Sequence, residues 1–285
     1  TNEGLELTGK FYVLQNTPLK WNIDANISFN RNRIGGLKAD QFAQKLWSSA
    51  DEVFIQRNGC PIGAIYGYVE DGFYDNLAEV MASPSADIRA KGAGMIGEIK
   101  YRNFDDNPDI TSADRVIIGD TNPDFVYGLT SNFEWKGVTL SFFLQGSQGN
   151  DIFNGNLMDM KMGNVGNITH EAYNTRWTEA NAAQAKWPKA VSGYERNMLI
   201  SNRYVEDGSY LKLKSLNIGY VWKPNFKGIS NVNVYASATN LFTITGYSWF
   251  DPEVNAFGSD ASRRGVDVYS YPSSRTFSLG IKVDF

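Results

Sequence analysis

Apolar and polar residues alternate with a period of two along seven stretches of this chain, the pattern of strands whose two faces meet different surroundings. The cleanest stretch closes the chain: Phe277, Leu279, Ile281, Val283 and Phe285 alternate with Thr276, Ser278, Gly280, Lys282 and Asp284. Leu19, Trp21, Ile23, Ala25, Ile27 and Phe29 alternate in the same way with Lys20, Asn22, Asp24, Asn26, Ser28 and Asn30. Tyr127, Leu129, Phe133 and Trp135 mark a third stretch, Val138, Leu140, Phe142 and Leu144 a fourth, and Val232, Val234, Ala236 and Ala238 a fifth. Leu5, Leu7, Phe11 and Val13 give a weaker sixth. The seventh runs from Tyr210 to Trp222, and its parity changes between Leu213 and Leu216, which predicts a bulge near Ser215.

These runs reach about 9–11 residues, the length a tilted strand needs to cross a membrane, whereas strands of globular proteins average about 5–6. Trp21, Trp135, Trp222 and Phe285 fall at run ends, where interfacial aromatic girdles form. Short and long connections alternate strictly. The short ones are 15–18, 136–137 and 223–231; the long ones are 31–125, 146–209 and 243–275. Outer-membrane barrels connect their strands this way, with short periplasmic turns and long extracellular loops. The fold class predicted is therefore all-β: a transmembrane antiparallel barrel. Seven strands put Thr1 on the extracellular side and the last strand's end in the periplasm. An odd count leaves edges unpaired in lipid, which is not tolerated. The expectation is that residues 1–285 form the C-terminal portion of a larger barrel.

Composition narrows the chemistry. Hydrophobic residues make up 42% of the 285, aromatics 14%, and no run approaches the ~18 apolar residues of a membrane helix. A net charge of -4 argues against a nucleic-acid binder held by phosphate contacts. One cysteine, Cys60, excludes an internal disulfide and disfavours a thiolate zinc site. The one histidine, His170, stands beside Glu171 without the spacing of a catalytic triad, so no enzyme activity is expected.

Four strings in order resemble one family. Residues 118–129 read IGDTNPDFVYGL, residues 206–213 read EDGSYLKL, residues 238–247 read ATNLFTITGY with FDPE at 250–253, and residues 271–285 read YPSSRTFSLGIKVDF. They are similar to segments of the SusC/RagA-type TonB-dependent transporters of Bacteroidetes. That resemblance implies a 22-stranded barrel in the outer membrane of a Gram-negative cell, with an N-terminal plug and a TonB box outside this chain. It implies a SusD-like surface lipoprotein as a lid, and import of a glycan oligomer or peptide driven by TonB-ExbB-ExbD through the plug. It also implies that Phe285 is the signal read by the barrel-insertion machinery.

Several motif residues have an architectural explanation. Asn122-Pro123-Asp124 and Asp207-Gly208 are turn formers ahead of strands, and Asn240 is placed to bond backbone where a strand leaves the membrane. Asn103, Asp105, Asn107, Asp109 and Asp114 stand at positions 1, 3, 5, 7 and 12 of an EF-hand-like loop, a spacing suited to Ca2+. Pro108 replaces the glycine of that motif, and the competing reading is an acidic solvated loop. Tyr173, Trp177, Trp187, Tyr194, Tyr247, Trp249, Phe250, Tyr269 and Tyr271 crowd the outer connections. Rings among polar neighbours suit substrate or lid contact, and equally suit packing of the loops on themselves. Two rival readings are a free-standing outer-membrane porin or barrel enzyme of about eight strands, and a soluble carbohydrate-binding β-sandwich.

Overall fold

A computed structural model describes residues 1–45, 52–158, 167–191, 195–225 and 228–285. All seven alternating stretches are strands: β1 (Asn2–Leu14), β2 (Leu19–Asn32), β3 (Phe125–Trp135), β4 (Val138–Gln148), β5 (Tyr210–Trp222), β6 (Asn231–Thr245) and β7 (Thr276–Asp284). They form one seven-stranded sheet in chain order, each antiparallel to the next. An antiparallel meander needs only short turns at one end. Between β3 and β4 the turn is Lys136-Gly137, both at positive φ (47° and 85°), the two-residue hairpin geometry that matches strand twist.

Register carries the alternation across strands. Reading sideways, Ile23 pairs with Ser131, Ser131 with Phe142, Phe142 with Leu216, Leu216 with Ala238 and Ala238 with Phe277. Phe11 extends this row through Ile23, and a second row runs Trp21, Phe133, Leu140, Ile218, Ala236, Leu279. One face is therefore a continuous apolar belt. The opposite face is mainly polar, with Val126 and Phe143 among its apolar members: Asn132 donates to Asn22 at 2.9 Å, and Lys20 pairs with Glu134 at 3.2 Å. A one-residue slip would exchange the faces, so the pattern pins the register.

The expected bulge is present, with register shifts between Leu213 and Ser215 and between Phe143 and Leu144. It keeps Leu211 and Leu213 on the same face as Leu216 and Ile218 although their parity differs. Opposite it, β6 turns at Asn240, which sits at φ 51° and donates its side-chain amide to the Ser274 carbonyl at 3.0 Å. This kink is why β6 extends to Thr245, past the point where simple alternation ends.

Trp21, Trp135 and Trp222 lie at the short-turn end, and Trp21 stacks on Phe133 at 5.3 Å. Thr1 lies at the opposite end, donating its amino group to the Arg33 carbonyl. There the three long connections fold together as a cap. Short strands Gln41–Lys45, Glu52–Gln56, Ala64–Gly67 and Val116–Asp120 make a four-stranded sheet within the first connection. Asp151–Asn154 of the second pairs with Val205–Asp207 and, in parallel, with Val266–Asp267 of the third. One hydrophobic core draws Phe54 and Ile65 from the first, Phe153, Trp187 and Tyr204 from the second, and Val266 from the third.

Among the described residues, none of the cap strands joins the wall sheet. An eighth wall strand between 31 and 125, which a small closed barrel needs, is not among them. In a seven-membered meander β1 and β7 run in the same direction, so they could close on each other only as a parallel pair. The belt predicts a face-specific outcome. Leu279→Arg should cost about 2–4 kcal/mol at mid-membrane depth and lower the amount of protein recovered with membranes. Ser278→Arg, one residue away on the polar face, should leave that amount unchanged; quantifying the receptor in membrane fractions checks both.

Candidate functional site

The cap is fastened to the polar face of the wall by an ion cluster. Successive inward positions on β5, Tyr210, Lys212 and Lys214, reach Asp251 and Glu253 at the start of the third connection. Lys212 Nζ lies 2.8 Å from Asp251 Oδ1 and 2.5 Å from Glu253 Oε2, with its side chain only 2% exposed. Lys214 Nζ donates to Glu253 at 2.9 Å and Tyr210 Oη to Glu253 at 3.0 Å. Asp251 also accepts the backbone N–H groups of Glu253 and Ser273, both at 3.0 Å. Burial pushes the Asp251 carboxyl up, and hydrogen bonds from Lys212 and those N–H groups outweigh it, holding the group below the usual carboxylate range. Glu253 is likewise lifted by burial and drawn lower on balance by Lys212 and Lys214. The YLKLK and DPE portions of the two motifs are thus halves of one structure.

The turn formers serve the same rim. Asp124 pairs with Arg31 at 2.7 Å, and Asn122 donates to the Ile62 carbonyl at 2.7 Å while accepting from Asn32. Gly149, at φ 82°, lets the chain pass against Asp124, whose Oδ2 would lie 2.3 Å from any added Cβ.

The aromatic candidates divide. Trp177, Trp187 and Tyr247 are buried, between 5% and 7% exposed. Trp177 donates its indole N–H to Asp75 at 2.8 Å, Trp187 carries the Arg203 guanidinium over its ring, and Tyr247 donates to Asp267 at 2.7 Å. These three hold the cap together. Tyr173 stays exposed beneath Arg176, and Trp249 meets Phe250 edge-on at 5.2 Å with Phe250 72% exposed. Tyr194 lies outside the described residues.

In the EF-hand-like loop, Asn103, Asp105 and Asn107 each accept the N–H two residues on, and Asp109 accepts from Ser85. Asp114 accepts the N–H groups of Phe104 (2.7 Å) and Thr111 (2.8 Å), one on each oxygen. Among the described residues, no three His, Cys, Asp or Glu side chains are grouped to hold a metal ion. His170 Nδ1 lies 3.2 Å from the Asn174 side-chain amide.

Two charged pairs between the first and second connections carried no sequence signal, because their members are about a hundred residues apart. Glu70 binds Arg203 through both carboxylate oxygens and also accepts from Ser201. Glu98, 1% exposed, meets Lys189 at 3.2 Å, and its second oxygen has no hydrogen-bond partner. Burial raises the Glu98 carboxyl despite the opposing pull of Lys189.

These shifts have opposite signs. Asp251 and Glu253, lowered on folding, stabilise the cap fully above the ordinary carboxylate range and lose that contribution as pH falls through their folded values. Glu98, raised on folding, contributes below its unfolded value and loses that contribution as pH rises through its folded one. Because Asp251 and Glu253, and not Glu98, fasten the cap to the wall, protease sensitivity at the wall–cap junction of the unmodified protein should rise as pH falls through their folded values. Lys212→Met should already be sensitive at neutral pH, having lost about 3–5 kcal/mol by leaving buried carboxylates short of a partner. Glu98→Gln should match or exceed the parent's melting temperature above neutral pH, and a fall there would contradict this assignment.

No family model matches the chain. TonB-dependent receptor P3 of Formosa agariphila is 33% identical over 300 residues, covering all of this chain and 28% of that protein. The TonB-dependent receptor SusC of Bacteroides thetaiotaomicron is 26% identical over 297 residues, again covering the whole chain and 26% of the relative. Among solved structures, the RagAB peptide importer in its open-open state superposes with a TM-score of 0.73 at 20% identity, over all of this chain and 28% of that one. Its closed-closed state gives 0.70 at 22% identity. The chain thus spans between a quarter and a third of the length of these proteins. Sequence and fold together place it among the SusC/RagA-type TonB-dependent receptors, as a section of their barrel wall with its outer loops.

Proposed function

We propose that this chain supplies part of the wall and extracellular cap of an outer-membrane transporter that imports a nutrient oligomer, a glycan or a peptide, with TonB-dependent energy. The observation that carries the reading is the two-faced sheet. An apolar belt on one side and a mainly polar face on the other suit a wall between lipid and an aqueous lumen. Its free edges on β1 and β7 each require another strand, because an unpaired N–H in hydrocarbon costs several kcal/mol. The remaining strands of the barrel are the partners that meet this need, and a plug fills the lumen they enclose. A SusD-like lipoprotein covers the cap, and TonB-ExbB-ExbD acts through the plug. The relatives named for TonB dependence and for peptide import support this reading. Tyr173, Phe250, Tyr269 and Tyr271, which stay exposed, and the half-buried Trp249 are rings placed to touch cargo or lid.

The wall and cap act by position. Polar residues such as Asn22, Asp24 and Asn132 keep the passage wetted, and the cap narrows its outer mouth. In cells that depend on the complete receptor for one oligomeric nutrient, removing TonB should abolish growth on it. An affinity-tagged receptor should bring down a surface lipoprotein. Growth that persists without TonB would overturn the import reading.

A further inference from the structure

A cleft of 720 Å³ lies where the outer end of the first hairpin of the wall meets the third connection. Asn2, Asn30 and Asn32 line one side, and residues 260–262 with 264 line the other. Two guanidinium groups border this space, those of Arg33 and Arg264. We propose that the cleft is a docking site for a carboxylate side chain of the neighbouring barrel segment, the one whose strand pairs with the open edge of β1. This rests on the reading of the chain as one part of a barrel wall, and is independent of the cargo and of the energy that moves it.

Three observations carry the proposal. The first is charge without compensation. Among the described residues, neither the Arg33 nor the Arg264 side chain makes a hydrogen bond or ion pair. Other arginines of the cap are engaged: Arg57 with Asp40, Arg203 with Glu70 and Arg263 with Asp260, while Arg115 and Arg196 donate to carbonyl oxygens. Asp260 is the carboxylate in the described lining, and its oxygens are already taken. Oδ1 accepts from the Ser262 N–H at 3.0 Å and hydroxyl at 2.6 Å, and Oδ2 accepts from Arg263 Nε at 2.5 Å. Two like charges thus share one cleft, a repulsion that a bound carboxylate reverses.

The second is a fixed floor. Asn32 accepts the Ile62 N–H at 2.7 Å and donates to Asn122 at 3.0 Å, and Asn122 donates to the Ile62 carbonyl at 2.7 Å. These bonds tie β2 to the first connection. Arg33 follows directly, with its own N–H donated to the Thr1 carbonyl at 2.9 Å. A donor that starts from an anchored backbone loses less freedom on binding.

The third is position. Asn2 opens β1, whose far side pairs with no other wall strand among the described residues. The strand that completes the ladder there ends beside the cleft, and so does the connection it carries. That decides the occupant. Exposed guanidinium groups hold a freely diffusing anion weakly, because both partners stay hydrated and salt screens them. A carboxylate tethered within reach is present at high effective concentration and is captured by the same groups. Its two oxygens also match the forked N–H donors of arginine.

The test is zero-length cross-linking in the complete receptor, purified in detergent with its partners. Arg33→Lys and Arg264→Lys keep the charge at exposed positions and put a reactive amine in the cleft. A water-soluble carbodiimide joins such an amine to a carboxylate only where the two touch. Peptide mass spectrometry should find the introduced amines joined to an aspartate or glutamate of the receptor outside these 285 residues. The yield should fall several-fold in 1 M salt, where the screening length is about 3 Å. Arg264→Glu should lower the melting temperature, and changing the cross-linked acid to arginine in the same molecule should restore it. Cross-links confined to residues 1–285, cross-links to the copurifying lipoprotein instead, or no cross-link from either position would overturn the docking site. Leu7→Cys, paired with cysteines scanned along the strand expected beside β1, tests the barrel reading alone. A disulfide there without the cross-link sinks only the cleft assignment; absence of both sinks the barrel reading with it.

Discussion

A sheet placed in hydrocarbon has no water to satisfy its backbone, so every N–H and C=O must find another strand. That constraint governs this chain. It sets the length of the wall strands, demands their antiparallel ladder, and makes the two outermost edges sites of obligatory pairing. It also demands that side chains sort by face. The registers achieve this even across the Leu213–Ser215 shift, where a bulge absorbs a residue that would otherwise turn the apolar positions of β5 inward.

Outside the membrane the constraint is different, and so is the architecture. The connections cannot each bury a core alone, since their strands are mostly only three to five residues long. They pool their apolar residues instead. Phe153 packs near Tyr204 at 6.0 Å, and Val266 from the third connection completes the same cluster. The parallel pairing of Phe153 with Val266 shows how closely the connections are joined, because neither strand has a regular partner in its own connection on that side. The result is a folded cap whose attachment to the wall is largely ionic. Lys212 projects from the polar face, loses its water, and is held by two carboxylates that are themselves bonded to backbone and to Lys214. Such a cluster adds directional specificity, and it explains why lysines persist at positions so deeply enclosed.

Wall and cap together give an import reading its physical basis. The wall separates lipid from water, while the cap gathers polar clefts and exposed rings at the outer mouth. What the side chains offer is shape, hydration and weak multipoint contact.

The order of wall strands, their faces, the bulge near Ser215 and the alternation of short and long connections were all legible in the residues. Each depends on neighbours two apart or on the distance to the next turn, and such local terms are written directly into a strand that faces lipid. Asn240 was legible for the same reason. The cap was not. Its short strands, such as the uninterrupted Val53-Phe54-Ile55, are buried on both faces and lose the alternation that announces a strand. Glu70 with Arg203 and Glu98 with Lys189 meet only because distant connections fold onto each other. Of the aromatic residues, sequence marked the set but tertiary packing chose between them, enclosing Trp177, Trp187 and Tyr247 and leaving Tyr271 and Phe250 outside. Local periodicity determined the wall because one solvent boundary acts on every strand alike; the cap and its cleft were decided by contacts between residues far apart in the chain, where no period exists to read.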